Sequence, residues 1–122
     1  MTAARAASDK KAERIVIMNI SQLLVITDYF LICSGRTERQ VRTISEEIER
    51  RVFADRDLKP FRREGEREGR WVLLDYVDFV VHIFHAEDRE YYNLERLWSD
   101  APTLRFDESL EEPDEPAAAE AT

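Results

Sequence analysis

The sequence predicts a mixed α/β or α+β domain, in which helices flank a mixed sheet of roughly five strands. Three observations lead to this prediction. Several short segments are rich in β-branched or aromatic residues, as strands are. Apolar residues spaced three and four apart mark a helix between the second and third of these segments. A chain of 122 residues has the usual length of one domain and is long enough to bury one hydrophobic core.

The first half of the chain predicts a helix followed by two strands. Residues 3–13 are rich in alanine and in charge, and they predict a short helix. Residues 15–20 and 29–34 are rich in β-branched and aromatic side chains, and they predict the first two strands. Gly35 interrupts this pattern, so the second strand should end there.

A longer helix should follow Gly35. Thr37, with Gln40 three residues later, has the spacing of a capping box at a helix start. Apolar residues then recur three and four apart as far as about residue 54, which places them on one side of a helix. These residues are Val41, Ile44, Ile48 and Val52. The helix should cover one face of the sheet.

The second half of the chain predicts three further strands. They should span residues 61–64, 70–75 and 79–84. The charged turn between the first two contains Gly65 and Gly69, which adopt positive φ without steric cost. Apolar residues run almost without a break through the last two strands, so much of this hairpin should be covered on both faces.

The last predicted element is a helix over residues 87–98. Tyr91, Leu94 and Trp98 fall on one side of it by their spacing. Asp88 is available as its N-cap, because an aspartate oxygen accepts hydrogen bonds from the free N–H groups of a first turn. The helix should pack on the sheet through its apolar side.

Charge divides the chain into a domain at residues 1–100 and an acidic tail at residues 101–122. The tail holds seven acidic residues against a single arginine, Arg105, and has too little apolar surface to offset the entropy of ordering. We therefore predict a disordered tail, and solubility is favoured over recruitment of a basic partner as its role. The net charge of −8 argues against general nucleic-acid binding, because phosphate contacts need a basic face.

Cysteine use and hydropathy indicate a soluble protein of a reducing cytoplasm. The single cysteine, Cys33, has no second cysteine in the chain to pair with. It lies in an apolar strand, where a thiol usually packs as a small hydrophobe. The sequence has no signal peptide and no long apolar run, so we expect no contact with a membrane.

Two groups of residues suggest chemistry, and neither suggestion is strong. His82 and His85 lie three apart on a strand, so they should point to opposite faces and share no metal ion. His82 is expected to have a hydrogen-bond partner. Asp28, Asp75 and Asp78 lie near strand ends, where carboxylates can converge on magnesium for nucleotidyl or phosphoryl transfer. Because a glycine-rich phosphate loop is absent from the sequence and aspartate is common beside turns, this transferase is the alternative hypothesis.

Trp71 and Leu73 are the candidate binding residues. Side chains alternate along a strand, so these two share a face of the sheet. If no helix covers that face, they form an aromatic and an aliphatic anchor beside Arg70 and Asp75, a composition typical of a binding hot spot. Spacing alone supports this interpretation and ordinary core packing equally.

Four motifs, in order and at matching spacing, resemble the Iojap family of ribosomal silencing factors. They are TDYFLI at 27–32, EG at 64–65 with WVLLDY at 71–76, VVHIF at 80–84, and Arg89 with YNLERLW at 92–98. The resemblance spans residues 3–100. One position departs from it, since Asn19 stands where the family pattern usually has an aspartate.

The resemblance implies a fold and a function. The expected fold is a mixed sheet with flanking helices, similar in shape to nucleotidyltransferases but without their activity. The expected partner is ribosomal protein L-fourteen on the large subunit, where bound protein would block subunit joining and reduce translation when nutrients are scarce. Such proteins often form homodimers; no enzyme activity, cofactor or direct nucleic-acid contact is expected. The implied partner contacts map first onto Trp71 and Leu73, and then onto Asp75, Tyr76 and His82.

Overall fold

The computed structural model describes residues 2–23 and 27–106, which form one six-stranded sheet with helices on both faces. The elements in chain order are α1 (Thr2–Asp9), β1 (Glu13–Asn19), β2 (Tyr29–Gly35), α2 (Glu38–Arg56), β3 (Arg62–Glu64), β4 (Trp71–Asp75), β5 (Phe79–His85), α3 (Ala86–Tyr92), α4 (Leu94–Leu97) and β6 (Thr103–Arg105). The strand order is β3-β4-β5-β2-β1-β6.

The sheet is mixed, which confirms the predicted fold class. β2 and β5 lie parallel at its centre, and the remaining neighbours pair antiparallel. Parallel neighbours need a long crossover connection, and here it contains α2, β3 and β4. The crossover therefore places β4 next to β5 and near one edge of the sheet.

One face of the sheet packs on α1 and α2. The predicted apolar side of α2 faces it, because Val41, Ile44, Ile48 and Val52 are all buried in that core. Every alanine of α1 is buried as well, and these small side chains allow a close approach between the two helices. This face also contains Cys33, where burial raises the pKa of the thiol to about 12. The cysteine is thus a core residue, as predicted.

The start of α2 follows the predicted capping pattern in part. Thr37 Oγ1 accepts a hydrogen bond from the Gln40 backbone N–H at 3.0 Å. The Gln40 side chain accepts from the backbone N–H of Arg36 rather than from that of Thr37. Its amide nitrogen donates to the carbonyls of Lys10 and Lys11, so this residue ties the end of α1 to the start of α2.

The single helix predicted over residues 87–98 is wrong. The chain forms α3 and α4, separated at Asn93, which adopts a left-handed conformation with φ of 48°. The predicted cap is also wrong, since His85 Nδ1 accepts from the Glu87 backbone N–H, whereas Asp88 pairs with Arg70 at 2.8 Å. The break occurs because asparagine tolerates the left-handed region while its own N–H still donates to the Arg89 carbonyl in the last turn of α3.

The sheet has one strand more than predicted. This strand, β6, lies at the start of the predicted tail. Thr103–Arg105 pairs antiparallel with β1, and Leu104 and Phe106 pack against the core. The predicted boundary after residue 100 is therefore too early. A three-residue edge strand is too short to show alternation of apolar and polar residues. The acidic composition of the surrounding residues therefore predicts a tail instead of a strand. The rest of the predicted tail, residues 107–122, lies outside the described residues.

Candidate partner-binding face

The second face of the sheet is covered over only part of its area. The short helix α3 follows directly from the end of β5, and α4 comes after it. Tyr92 of α3 packs on Phe84, and Trp98, just after α4, packs on Phe30. Over the opposite end of β4 and β5 lies an open groove of about 320 Å³, here called the β4 groove. Its lining consists of Thr27, Phe30, Phe61, Arg62, Leu73, Asp75, Val77, Val80 and His82. The prediction that both faces of the hairpin are covered is therefore wrong at this end.

Strand alternation brings four of the five predicted binding residues to this face. Val72 and Leu74 are buried in the core beneath α2, so Trp71, Leu73 and Asp75 point the other way. Leu73 lies directly opposite His82 of β5 in the sheet, and residues paired in this way share a face.

Tyr76 does not join the other four. It is 7% exposed and belongs to the core on the α2 side. Its ring stacks on Phe79 with centroids 4.7 Å apart, and burial raises the pKa of its hydroxyl to about 12. The side chain supports the β4–β5 turn from behind and offers no surface to a partner at the β4 groove.

Trp71 lies at the border between the covered and the open part of this face, and it is partly buried. Its ring stacks on Phe84 at 4.9 Å between centroids and contacts Tyr92 of α3 at 4.6 Å. Its indole Nε1–H donates to His82 Nδ1 at 3.1 Å. The tryptophan is therefore held rigidly on three sides, which is the state of a preorganised anchor.

The preceding turn is also fixed by its close approach to Trp71. Gly65 has φ of 85°, and a Cβ atom at this position would lie 2.0 Å from the Trp71 carbonyl oxygen. Only glycine fits a turn with both properties. The positive φ predicted for Gly65 and Gly69 is confirmed. The turn brings β3 against β4, and Phe61 and Arg62 then form the outer wall of the groove.

His82 is a neutral histidine. It is 5% exposed, and burial lowers the pKa of its imidazole from the ordinary value of 6.5 to about 4. The predicted hydrogen-bond partner exists and is Trp71. His85 is used separately, as the N-cap of α3.

This histidine should make the stability of the fold depend on pH. Because its folded pKa is depressed, the unfolded chain binds the proton more tightly, and stability is lost as pH falls from about 6.5 towards 4. A full shift of this size corresponds to about 3 kcal/mol. Urea denaturation of wild type and His82→Phe over this range should give a shallower pH dependence for the variant. Parallel curves would contradict this assignment.

The carboxylates of the alternative hypothesis do not form a metal site. Asp28 and Asp78 are neighbours through their backbones, with Asp28 N–H donating to the Asp78 carbonyl at 2.9 Å, and both are exposed. Asp75 is used locally, since its Oδ1 accepts from the Val77 N–H at 2.8 Å and its Oδ2 lies 3.6 Å from Arg62. Within residues 2–23 and 27–106, no group of three or more acidic, histidine or cysteine side chains is placed to hold a metal ion.

A buried arginine fixes the helices that border this face. Arg89 of α3 is 1% exposed, and its guanidinium donates to Glu95 Oε2 at 2.7 Å. It also donates to Ser34 Oγ and to the Glu13 carbonyl, each at 3.3 Å. These bonds join α3 to α4, β2 and β1, and so they hold Tyr92 against Trp71. Sequence reasoning used Arg89 only as part of a family motif and assigned it no structural role.

Several groove residues were not predicted as site residues. Phe61 is 78% exposed, and Val77 beside it is also exposed; Thr27 and Phe30 enter from the segment that starts β2. Residue 61 was expected to begin a strand, and nothing in the local pattern indicates that its ring stays uncovered. Only the placement of β3 at the sheet edge reveals it.

The family follows from comparison with known proteins. A family model described as "Ribosomal silencing factor during starvation" matches residues 1–122. The chain belongs to the ribosomal silencing factor family. Ribosomal silencing factor RsfS of Halalkalibacterium halodurans is 46% identical over 105 residues, which are 86% of this chain and 89% of that protein. The chloroplastic protein Iojap of Zea mays is 31% identical over 84% of this chain and 44% of its own length.

Solved structures of similar proteins share the fold. A crystal structure from Bacillus halodurans has a TM-score of 0.74 at 43% identity and covers 86% of this chain and 94% of its own. An X-ray structure of a Chromobacterium violaceum protein has a TM-score of 0.77 at 28% identity and covers 80% and 81% of the two chains. The predicted family and fold class are both confirmed. No helix in the described part of the chain is long and apolar enough to span a membrane.

Asn19, the position that departs from the family pattern, has a local role. Its Oδ1 accepts hydrogen bonds from the Ser21 backbone N–H at 3.1 Å and from Ser21 Oγ at 2.7 Å. An aspartate oxygen would accept the same two bonds. The difference between asparagine and aspartate therefore leaves this turn intact.

Proposed function

We propose that this ribosomal silencing factor binds the large ribosomal subunit through the β4 groove and the adjoining Trp71. Ribosomal protein L-fourteen is the proposed contact, and the bound protein would block joining of the small subunit by occupying its surface. The observation that carries the proposal is that Leu73 and His82 line the uncovered end of this face, with Trp71 hydrogen-bonded to His82 at its border. The family relationship supplies the ribosome as the target.

The composition of this surface suits protein binding. Leu73, Phe30 and Val80 line the groove, and the exposed Phe61 and Val77 extend its apolar surface outwards. A contiguous exposed apolar area of this kind on a domain marks an interaction site more often than chance. Aromatic side chains held in place by packing are typical of the centre of such interfaces.

The charge of the chain suits a basic partner. The net charge is −8, and attraction to a basic ribosomal protein would raise the association rate more than the final affinity. Asp75 contributes a carboxylate to the groove itself. Inhibition by occupancy needs no catalytic group, so the proposed activity includes neither an enzyme reaction nor a cofactor. We include a homodimer of the free protein in the proposal, which sedimentation velocity of the purified protein would test.

Phe61→Ala tests the proposed surface with little risk to the fold. Because the ring is largely exposed, its loss should leave unfolding unchanged within about 0.5 kcal/mol. Binding should weaken by about tenfold, equivalent to about 1.4 kcal/mol, if the ring packs against the partner. Cosedimentation with isolated large subunits measures this.

Phe53→Ala is the matched control. Phe53 is 48% exposed on α2, behind the sheet and away from the β4 groove. It should bind large subunits as wild type does. Equal binding by the Phe61 and Phe53 variants would show that the β4 groove is not part of the interface. Failure of wild type itself to cosediment with large subunits would reject the proposed function.

A further inference from the structure

The β4 groove contains two buried polar atoms that have no hydrogen-bond partner among the described residues. They are Thr27 Oγ1 and His82 Nε2. Thr27 is 6% exposed and His82 is 5% exposed, and both line the groove. A buried donor or acceptor without a partner is costly, and its presence at a functional surface indicates a group supplied from outside.

The chemistry of the missing group follows from the tautomer of His82. The indole N–H of Trp71 is only a donor, so His82 Nδ1 must be the acceptor in the bond between them. The imidazole is neutral, and its one proton is therefore on Nε2. His82, a residue of the groove lining, therefore has a buried Nε2–H donor that lacks an acceptor among the described residues.

The remaining lining determines what kind of acceptor fits. Phe30, Leu73 and Val80 make the walls apolar, and the Asp75 carboxylate is already part of the lining. Arg62 also lines the groove, but its guanidinium already lies 3.6 Å from the Asp75 carboxylate, so a second carboxylate would have to be desolvated beside an existing ion pair and is unfavourable. An uncharged backbone carbonyl flanked by an aliphatic side chain satisfies both the donor and the walls.

We propose that the β4 groove receives a peptide segment of the protein partner, whose backbone carbonyl groups accept hydrogen bonds from His82 Nε2–H and Thr27 Oγ1–H. An aliphatic side chain of the same segment packs between Phe30, Leu73 and Val80. This inference rests on the proposed function and specifies how its surface recognises the partner. Phe61 and Val77 also line the groove and are exposed, so its apolar surface is open to solvent, which suits a protein segment better than a small molecule.

Thr27→Val tests the inference, because valine keeps the shape of threonine and removes its hydroxyl. In the free protein the hydroxyl has no partner, so the melting temperature should stay equal or rise. Affinity for isolated large subunits should fall about tenfold, because an acceptor in the partner loses its donor. Thr27→Ser, which keeps the hydroxyl, should bind within about twofold of wild type.

The outcomes separate this inference from the proposed function. If wild type binds large subunits and Phe61→Ala weakens binding, but Thr27→Val binds as wild type, the carbonyl recognition is wrong and the surface stands. If wild type does not bind large subunits, the carbonyl recognition and the proposed function are both wrong. Nitrogen-15 NMR of the free protein gives an independent test: His82 should carry its proton on Nε2 at neutral pH, and an Nδ1–H tautomer would overturn the inference.

Discussion

Replacing Arg89 with alanine should lower the free energy of unfolding by about 3 to 5 kcal/mol, the range found when one partner of a buried ion pair is removed. The guanidinium is fully buried, and it satisfies the Glu13 carbonyl and Ser34 Oγ in addition to Glu95. Alanine would remove the donor that these acceptors share, leaving the Glu13 carbonyl only its bond from Ser34 Oγ, and would leave a cavity beneath α3. Urea denaturation at pH 7 measures the change.

Arg96→Ala is the matched control for this prediction. Arg96 lies on α4 close to the same helices, but its side chain is exposed. Its replacement should change stability by no more than about 0.5 kcal/mol. An Arg89 variant within about 1 kcal/mol of wild type would mean that the network does not hold α3 and α4 on the sheet.

Trp71→Ala should have the largest effect on binding, a loss of about 100-fold or more in affinity for the large subunit, or about 3 kcal/mol. The ring is the anchor that connects Phe84 and Tyr92 to the groove, and its N–H fixes the tautomer of His82. Cosedimentation over a range of protein concentrations gives the affinity.

The same substitution should also destabilise the fold, by about 2 to 3 kcal/mol for a partly buried tryptophan. Circular dichroism must therefore show a folded variant at the temperature of the binding assay. Trp71→Phe keeps an aromatic ring but loses the hydrogen bond to His82, and it should bind with intermediate affinity. A folded Trp71→Ala protein that binds as tightly as wild type would contradict the assignment of Trp71 to the interface.

Local patterns predicted most of the fold. The alternating and apolar segments located β1 to β5, and the spacing of Val41, Ile44, Ile48 and Val52 located α2 and its buried side. The two elements that were predicted wrongly, the last helix and the sheet edge at β6, have local physical causes. Asn93 breaks the last helix through one left-handed residue, and β6 gains its stability from pairing with β1 rather than from its own three residues.

The candidate site was predictable where it depends on strand alternation. Trp71 and Leu73 share a face by parity, and the structure leaves the Leu73 end of that face uncovered. The same parity places Tyr76 on the opposite side, whereas the family resemblance had grouped it with the others. The sequence does not predict that Thr27 and Phe61 line the groove, because they reach it from segments distant in the sequence. Their place follows only from the order of the strands in the sheet.

Subunit joining in the presence of the protein tests the central claim most directly. Isolated large and small ribosomal subunits would be mixed at a magnesium concentration that favours joining, with wild type, Phe61→Ala or Phe53→Ala, and separated by sedimentation. We expect wild type and Phe53→Ala to migrate with free large subunits and to reduce the joined fraction, and Phe61→Ala to do so only at higher concentration. Migration with small subunits, or an unchanged joined fraction when wild type saturates the large subunits, would contradict the account.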